Sequence, residues 1–590
     1  KKQFKDMFRK NEDLLRVFED ADNDDQQSLK TVALSKEQKK NQRLRRVQNK
    51  KKHQENSQIW EHAWTTKWKN AGAAYVWFFL YIFANITAFV YKAHKYAIYD
   101  EAREVFGNCV VIARGAAQCL NLNACLILLP VCRHLLTRMR AAGHLRFWFP
   151  FDACLEFHML VGLAILFFTL AHVLAHICDF HRFAKADRDD LVSLFGDKLG
   201  NPNQIPDSYG GRWLLLLTQP AAITGVIMLG CMMIAYPLIL TRRTHFNRFW
   251  LAHHLLLVML VELCLHGTGN LLEHCQSIYW VTPPLLFYFI PRLIRECGGV
   301  TVCPVVDIAV KKGDVIGLRM QKPQSWEHRV KAGMYVFINI PAVSNVEWHP
   351  FTLTSAPHEN FIEVHFRNVG DWTQKAHTYI KDQIVKDEKK KQRRQEKLVV
   401  KVEGPIGASS QGFSDYPIVV LVGAGIGVTP MISVLKQLLV EPGHMKRAYL
   451  YWTVRERNSF EWFSELIDAI YQQDMHGVLH IRHFLTSVKM EDDDRDLGTI
   501  LFQHAYRAKH KRTNFDLFLQ RQNRHQVDVG RPNWSEEFAS VKKEAKSLGH
   551  DKCGVFLCGP GKLAEAVEEV TFELSNQDRD FHFYFTKETF

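Results

Sequence analysis

The stretch FDACLEFHMLVGLAILFFTLAHVLAHI, residues 151–177, decides the fold class of this chain. It carries no charge between Met159 and Ala171, and it is longer than the roughly 20 apolar residues that a membrane helix needs. It nevertheless contains His158, His172 and His176. An ionisable side chain inside a membrane span is costly, so such a residue indicates a functional site. The stretch therefore predicts a membrane helix that carries chemistry.

The spacing of His158 and His172 suits metal ligation at two depths in one membrane. The two residues are 14 positions apart. On an ideal helix their rings leave nearly the same face, within about 40°, and lie roughly 21 Å apart along the axis. Two stacked iron centres fit that separation inside a hydrocarbon core of about 30 Å. Buried, hydrogen-bonded core histidines are the alternative, whereas one compact tetrahedral zinc site is disfavoured by the separation.

A second apolar segment, FWLAHHLLLVMLVELCLHG at 249–267, also carries histidines. His253 and His266 are 13 residues apart, so two such helices predict two bis-histidine haems, with His158, His172, His253 and His266 as iron ligands. Thirteen residues turn an ideal helix about 140° off the starting face, and twelve residues from His254 turn it about 120° off. The helix must bend or the rings must reach, and spacing alone does not choose between His253 and His254.

The charge distribution argues for a membrane protein and against a nucleic-acid partner. The formal net charge is +13, but the basic runs flank apolar segments, as the positive-inside rule describes. We expect lipid as a partner and both termini in the cytosol, which makes His158 and His253 inner and His172 and His266 outer. The six predicted spans are 73–91, 109–132, 155–177, 221–240, 249–266 and 276–291.

Two further charges, Arg114 and Glu262, lie within predicted spans. Arg114 is expected to face the interior of the bundle, with a haem propionate as its partner. Glu262 is expected to relay protons or to pair with Arg114. The stretch DADNDD at 20–25 is similar to a calcium loop, but it lacks the glycine and the final glutamate that an EF-hand needs.

The second half of the chain changes pattern at about residue 297. Short alternating strands with Gly and Pro breaks predict a small antiparallel β-barrel, and alternating strands and helices after about 413 predict an α/β domain. The fold class is therefore multi-domain, a six-helix haem-binding bundle followed by a β-barrel and an α/β domain. The predicted domains are a basic cytosolic segment at 1–70, the bundle at 71–296, the barrel at 297–412 and the α/β domain at 413–590.

Glycine-rich turns in the last domain predict a dinucleotide site. GAGIGVTP at 423–430 follows an apolar strand and opens a helix, which lets the backbone approach a pyrophosphate. CysGlyPro at 558–560 ends a later strand, and the pair is more specific than either motif alone. Arg455, after the next strand, stands where the 2′-phosphate of NADPH needs a cation.

Several motifs together resemble the NADPH oxidase family, nearest its plant respiratory-burst and calcium-regulated branches. They are ARGAAQCLNLNACLILLPVCR in the second span, the two histidine helices, HPFTLTSAP at 349–357, FRNVGDWT at 366–373, GAGIGVTP, CGP, GRPNW at 530–534 and the terminal Phe590. The resemblance covers about residues 70 to 590. It implies that the second half is a ferredoxin-NADP reductase-like dehydrogenase, with an FAD-binding barrel at 297–412 and an NADPH-binding domain at 413–590. It also implies FAD and two haem b as cofactors, and a regulatory protein or an upstream calcium-sensing region as a partner.

The resemblance also implies roles for particular residues. It makes His253 the haem ligand rather than His254, and it puts Arg114 and His176 beside the outer haem, where oxygen is reduced. It puts Cys558 near the nicotinamide and the terminal Phe590 over the flavin. Cofactor contacts are implied for His349, Pro350, Phe351, Thr352, Ser355, His365 and Arg367 with FAD, and for Gly423, Gly425, Gly427, Thr429, Pro430, Arg455, Gly559 and Pro560 with the nucleotide.

These expectations combine into one function. Electrons pass from cytosolic NADPH through FAD and the two haems to dioxygen on the far side, giving superoxide, in a multi-pass protein of the plasma membrane. A ferric or cupric chelate reductase, built on a similar membrane path, is the alternative enzyme. A non-catalytic haem or proton-conducting membrane protein is the alternative from another class, and the flavin and nucleotide motifs argue against it.

Overall fold

The computed structural model covers both the apolar half and the strand-rich half of the chain. It describes residues 68, 70–141, 145–199, 205–242, 244–268, 270–294, 300–389, 398–474, 477–486, 515–516, 521–522, 526–578 and 580–588. The expectations for the basic segment up to residue 67, for the calcium-loop-like stretch and for Phe590 lie outside these residues. The chain divides into two units, Lys1–Lys69 and Asn70–Phe590, and the elements below belong to the second.

The first half consists of helices with apolar outer surfaces. Phe83, Leu163 and Leu251 are each more than 60% exposed, which is the expected arrangement for side chains that face lipid. The sixth predicted span forms the helix Ser277–Ile294, which contains three prolines. Five helical stretches in the described ranges are long and apolar enough to cross a membrane, and they coincide with the first five predicted spans: Asn70–Ala97, Cys109–Val131, Phe151–Lys185, Pro220–Ile239 and Asn247–Leu265.

Eleven helices make up this half in the part of the chain that the structure describes. They are α1 Asn70–Ala97, α2 Asp100–Phe106, α3 Cys109–Leu126, α4 Arg133–Ala141, α5 Leu145–Trp148, α6 Cys154–Lys185, α7 Arg188–Phe195, α8 Tyr209–Leu217, α9 Pro220–Ile239, α10 Phe246–Leu265 and α11 Ser277–Ile294.

A polar network joins α1 to α3 inside the bundle. The Tyr81 hydroxyl donates to Asn123 Oδ1 at 2.5 Å, and Asn123 Nδ2 donates to Asn85 Oδ1 at 2.7 Å. Asn123 is fully buried, and Asn85 is nearly so. Polar groups at this depth need partners inside the protein, because lipid offers none. The network therefore fixes how the first two spans pack.

The end of α6 away from the dehydrogenase is covered by an apolar cap. We define the cap by Phe106, Phe183, Leu191, Phe195 and Ile205, all of them buried in one cluster. The short helices α2 and α7 supply three of these side chains. We call this end of the bundle the outer end.

The first sheet of the second half is the expected antiparallel barrel, with strand order β4-β3-β6-β1-β2-β5. Ile362, Val364 and Phe366 alternate into its core, so Glu363 and His365 face the other way. One helix, α12 Asp371–Lys389, follows β5 along the chain. The strands are β1 Thr301–Lys311, β2 Val315–Gln321, β3 Tyr335–Asn339, β4 His349–Thr352, β5 Phe361–Arg367 and β6 Val399–Ile406.

The second sheet is parallel, with strand order β12-β9-β8-β7-β13-β14, and helices cover its faces. Strands β7, β8 and β13 are neighbours, so their carboxyl ends share one edge. The elements are β7 Ile418–Ala424, α13 Thr429–Val440, β8 Arg447–Val454, α14 Ser464–Gln473, β9 Leu479–Leu485, β10 Phe515–Asp516, β11 Arg521–Gln522, β12 Gln526–Val529, α15 Trp534–Ser547, β13 Lys552–Cys558, α16 Gly561–Asn576 and β14 His582–Glu588.

The barrel contacts the bundle at the start of α6. Asp152, two residues before α6, accepts hydrogen bonds from Arg140 at 2.8 Å and from Ser409 at 2.6 Å. His134 Nε2 lies 2.8 Å from Glu403 Oε1, and the Arg133 guanidinium lies over the Phe337 ring. The dehydrogenase is therefore attached at the end of α6 that carries His158.

We expect Asn123→Leu to lower the free energy of unfolding by about 1–3 kcal/mol, because the Tyr81 hydroxyl and Asn85 Oδ1 lose their hydrogen bonds to Asn123. Thermal unfolding of the protein in detergent measures the change. Leu163→Ala, on the lipid-facing surface, is the control and should leave the midpoint nearly unchanged. Equal midpoints for Asn123→Leu and the unmodified protein would contradict a stabilising role of the network.

Candidate functional site

Two pairs of histidine rings face each other between α6 and α10. The ring centroids of His158 and His253 are 6.0 Å apart, and those of His172 and His266 are 6.2 Å apart. A metal–imidazole bond of about 2.0 Å, with about 1.1 Å from nitrogen to ring centre, puts two such rings roughly 6 Å apart across one metal ion. Each pair therefore fits one iron, and the two pairs lie at the two predicted depths.

Hydrogen bonds orient three of these four rings. His158 Nδ1 donates to the Ile127 carbonyl at 2.8 Å, and His172 Nδ1 donates to the Ala113 carbonyl at 2.9 Å. His266 Nδ1 lies 3.0 Å from Thr224 Oγ1. Histidines that ligate metals are commonly held through the second ring nitrogen in this way, which leaves Nε2 for the metal. The residues present therefore fit haem at both depths.

The structure distinguishes His253 from His254. The His253 ring faces His158, and its Nδ1 is buried without a hydrogen-bond partner among the described residues. His254 Nδ1 donates to the Trp250 carbonyl at 2.7 Å, and its ring lies edge-on to Trp250. His266 is the C-cap residue of α10, with helical φ and ψ, and it continues the face of the helix that carries Met259.

A cavity of about 430 Å³ surrounds the outer histidine pair. Arg114 and His176 both line it, as the resemblance implies. The Arg114 guanidinium lies 5.3 Å from the centre of the Tyr96 ring, and its Nε is buried without a partner in the described part of the chain. The His176 ring packs edge-on against His172, with 4.3 Å between centroids.

The predicted pairing of Arg114 with Glu262 is wrong. The ion pairs of the described residues do not include it, and Glu262 does not line the cavity. Met259, Leu263 and His266 share the face of α10 that does, and Glu262 points about 100° round the helix from Leu263.

Loop residues close the cavity at the outer end. Lys92 is 5% exposed and forms an ion pair with Glu273 at 2.7 Å, and Lys95 also pairs with Glu273. Lys92 Nζ donates to Gln276 Oε1 as well, at 3.2 Å. These contacts tie the segment after α10 to α1.

The FAD-side residues divide into two groups. His349, Pro350, Phe351 and Thr352 form β4, and the His349 ring stacks on Trp372 at 4.3 Å. Arg367 ends β5 and forms an ion pair with Glu456 of the nucleotide domain at 3.2 Å. β4 and the end of β5 thus lie beside the start of α12.

His365 and Ser355 lie where the barrel meets the nucleotide domain. The His365 ring is 4.7 Å from Phe463 and is hydrogen-bonded through Nδ1 to Thr354 Oγ1 at 2.9 Å. The Ser355 carbonyl accepts from Ser433 at 2.7 Å. Burial lowers the pKa of His365 to about 4, against a smaller opposite effect of Glu363, so the imidazole is neutral near pH 7. The structure therefore places His365 in a buried domain contact rather than on an open surface.

The two glycine-rich turns form one cradle. Cys558 pairs with Gly423 across β13 and β7, and a Cβ on Gly427 would lie 2.6 Å from the Cys558 carbonyl oxygen. Only glycine fits there. Thr429 and Pro430 begin α13, so the amino end of a helix points at the cradle. Gly425, with φ +56°, makes the turn between them.

The remaining nucleotide-side residues border this cradle. Gly559 packs closely, since a Cβ there would lie 2.9 Å from the Ala424 Cβ, and Pro560 caps α16. Arg455 directly follows β8, at the same edge of the sheet and exposed.

Glu588 is a buried carboxyl group that sequence reasoning missed. It accepts a hydrogen bond from Ser410 Oγ at 2.6 Å, and burial raises its pKa to about 7. Burial, and to a smaller extent Glu588, raise the pKa of the Cys558 thiol. The thiol is therefore uncharged at neutral pH, which suits contact with a ring better than nucleophilic attack. In the sequence, the only indication of a role for Glu588 is that it lies two residues before Phe590.

Family models agree with this architecture. Three family models match consecutive parts of the chain. They are a ferric reductase like transmembrane component at 114–264, an FAD-binding domain at 300–410 and a ferric reductase NAD binding domain at 416–572. A ferredoxin NADP+ reductase from Neisseria gonorrhoeae aligns with 49% of this chain and 98% of its own, at 11% identity and a TM-score of 0.32.

Relatives among characterised proteins match most of the chain. A heavy chain of the superoxide-generating NADPH oxidase of Dictyostelium discoideum is 33% identical, over 89% of this chain and 98% of its own length. Probable respiratory burst oxidase homolog protein I of Arabidopsis thaliana is 32% identical over 89% of this chain, which spans 61% of that protein. Respiratory burst oxidase homolog protein B of Solanum tuberosum is 30% identical, and the chain spans 63% of its length. The resemblance found in the sequence motifs is confirmed, and the chain belongs to the NADPH oxidase family.

Proposed function

We propose that the chain is a transmembrane oxidoreductase that takes electrons from NADPH on one side of a membrane and delivers them to dioxygen on the other, with superoxide as product. The balance is NADPH + 2 O₂ → NADP⁺ + H⁺ + 2 O₂•⁻. The observation that carries the proposal is the arrangement of the two histidine pairs. They follow one another along α6, from the contact with the dehydrogenase towards the outer cavity.

Two haem b groups and FAD are the proposed cofactors. When bound, FAD accepts a hydride and releases single electrons, and the haems carry these across the membrane. His158 and His253 would hold the inner haem, and His172 and His266 the outer one. β4 and Arg367 would hold FAD, and Phe590 would cover the flavin.

The nucleotide end binds and orients NADPH. The glycine turns at 423–427 and the amino end of α13 support a pyrophosphate site, and Cys558 lies in the same cradle to position the nicotinamide. Arg455 supports a preference for the 2′-phosphate, because a guanidinium binds phosphate with two parallel hydrogen bonds.

The outer end binds the acceptor. Arg114 brings a positive charge to the cavity wall, and His176 offers a ring nitrogen beside His172. A fixed positive charge in a site of low polarity stabilises the superoxide anion as it forms. The ion pair between Lys92 of α1 and Glu273 ties the segment after α10 to the wall of this cavity.

The location of the chain is proposed from its charge pattern. Basic runs at one end of the spans support cytosolic termini, and we propose the plasma membrane as its location. A regulatory protein, or a calcium-sensing region upstream of these residues, is proposed as the control on electron flow.

The decisive experiment measures reduction of ferricytochrome c by the purified, FAD-loaded protein with NADPH, with and without superoxide dismutase. We expect the dismutase to abolish the signal. A ferric reductase is the second candidate, favoured by the names of two matching family models. Reduction of ferric chelates that is insensitive to dismutase and to oxygen would support it and contradict the oxidase.

We expect His253→Leu to lower the haem content from two per chain to one, since it removes one ligand of the inner iron. His254→Leu is the matched control and should keep both haems. Haem is quantified from the pyridine haemochrome, and reduced-minus-oxidised spectra identify which haem is lost. Loss of haem in His254→Leu alone would reverse the ligand assignment.

Arg455→Ala should raise KM for NADPH about tenfold or more, equivalent to at least about 1.4 kcal/mol, and leave KM for NADH nearly unchanged. The guanidinium has a phosphate to bind only in NADPH. Lys446→Ala, one residue before the amino end of β8, is the control. Equal increases for both nucleotides would refute the role of Arg455 in recognising the 2′-phosphate.

A further inference from the structure

Asp179 is a buried carboxylate beside the outer histidine pair. It lies on α6 and is 2% exposed. Its Oδ2 accepts a hydrogen bond from His176 Nδ1 at 3.1 Å, three residues back along the same face of the helix. Nothing in the role of an iron ligand or of a lipid-facing side chain requires a carboxylate here.

This contact sets which nitrogen of His176 is available. A histidine whose Nδ1–H is donated to a carboxylate presents Nε2 on the other side of its ring. His176 lines the cavity and packs edge-on against the ring of His172, which is itself tied to the Ala113 carbonyl. The hydrogen bond that Asp179 accepts therefore prevents the His176 ring from rotating relative to the position of the outer iron.

The second oxygen of Asp179 points to a polar occupant of the cavity. Oδ1 is buried without a hydrogen-bond partner among the described residues, and so is Nε of Arg114. Both residues line the same cavity. Buried polar atoms are nearly always paired, so these two atoms indicate a small polar molecule in the cavity, such as a water that donates to Oδ1 or accepts from Nε.

We propose that Asp179 is a positioning residue for oxygen reduction, which holds the His176 imidazole with Nε2 towards the acceptor. The inference rests on the proposed function, because it names the group that orders the acceptor site of that reaction. Asp179 acts through His176 and does not touch the iron.

A double-mutant cycle tests this dependence. Asp179→Ala, His176→Ala and the double variant are reduced anaerobically and mixed with oxygen, and haem reoxidation is followed by absorbance. We expect each single variant to slow reoxidation about tenfold, because a misplaced group loses its effect on the reacting molecule. The double variant should be no slower than His176→Ala alone.

Two further variants separate positioning from folding. Asp179→Asn keeps an oxygen that accepts from Nδ1–H and should stay within about threefold of the unmodified rate, since a neutral hydrogen bond is weaker but has the same geometry. Asp190→Asn, an exposed carboxylate beyond the outer end of α6, should leave the rate unchanged. Haem content is measured for every variant.

A chemical readout makes the test independent of turnover. Diethyl pyrocarbonate modifies the unprotonated nitrogen of histidine, and peptide mass spectrometry measures its rate at His176 in the haem-loaded protein. We expect slower modification in Asp179→Ala, because Nε2 is no longer held as the free nitrogen. Local unfolding would have the opposite effect and speed the modification.

Three outcomes would overturn the proposal that Asp179 positions His176. They are multiplying effects on the reoxidation rate in the double variant, faster modification of His176 in Asp179→Ala, and loss of the outer haem in both Asp179→Ala and Asp179→Asn. If oxygen does not reoxidise the reduced haems of the protein without any substitution, that result would contradict the proposed oxidase function instead. The modification rates at His176 would still decide whether Asp179 orients the ring.

Discussion

Two imidazole rings facing each other across roughly 6 Å are the constraint on which the membrane half depends. They can hold one metal only if α6 and α10 stay apart by a fixed amount at both depths. The Ile127 and Ala113 carbonyls on the side of α3 fix the α6 rings, and Thr224 on α9 fixes His266. Neighbouring helices thus orient the histidines that α6 and α10 carry, and the small side chains on the buried face of α3 let its backbone come close to α6.

The same helix that carries His158 and His172 begins at the dehydrogenase. Asp152 precedes α6 and holds Arg140 and Ser409 together, so the barrel is fixed to the end of the helix rather than to a flexible loop. Inside the dehydrogenase, Lys436 of α13 pairs with Glu363 of β5 at 3.2 Å, which joins the nucleotide domain to the barrel. Polar contacts therefore join the nucleotide domain to the barrel, and the barrel to the start of the helix that carries His158.

Periodicity predicted much of this arrangement. The uncharged run with histidines 14 residues apart predicted α6 and the two depths of its histidines, because residues on one helix are spaced by a constant angle and rise. The same reasoning could not choose between His253 and His254, since neither is in phase with His266: they lie about 140° and about 120° away from it round an ideal helix. The Arg114–Glu262 pairing was wrong because proximity in depth says nothing about which face of α10 is turned inward. Asp179 and Glu588 acquire meaning only from their neighbours in space, although the i, i+3 spacing of His176 and Asp179 was visible in the sequence.

The length of α6 has a consequence for what can reach the outer site. Its 32 residues extend about 48 Å, well beyond a hydrocarbon core of about 30 Å. Roughly 20 Å of that helix lies beyond His172, and there Phe183 packs with Phe106 and Phe195 in the cap. The outer histidine pair thus lies beneath the cap and not at the membrane surface. Packed side chains above the outer pair favour a diatomic gas as the acceptor over a chelated metal ion, which is larger and more strongly hydrated.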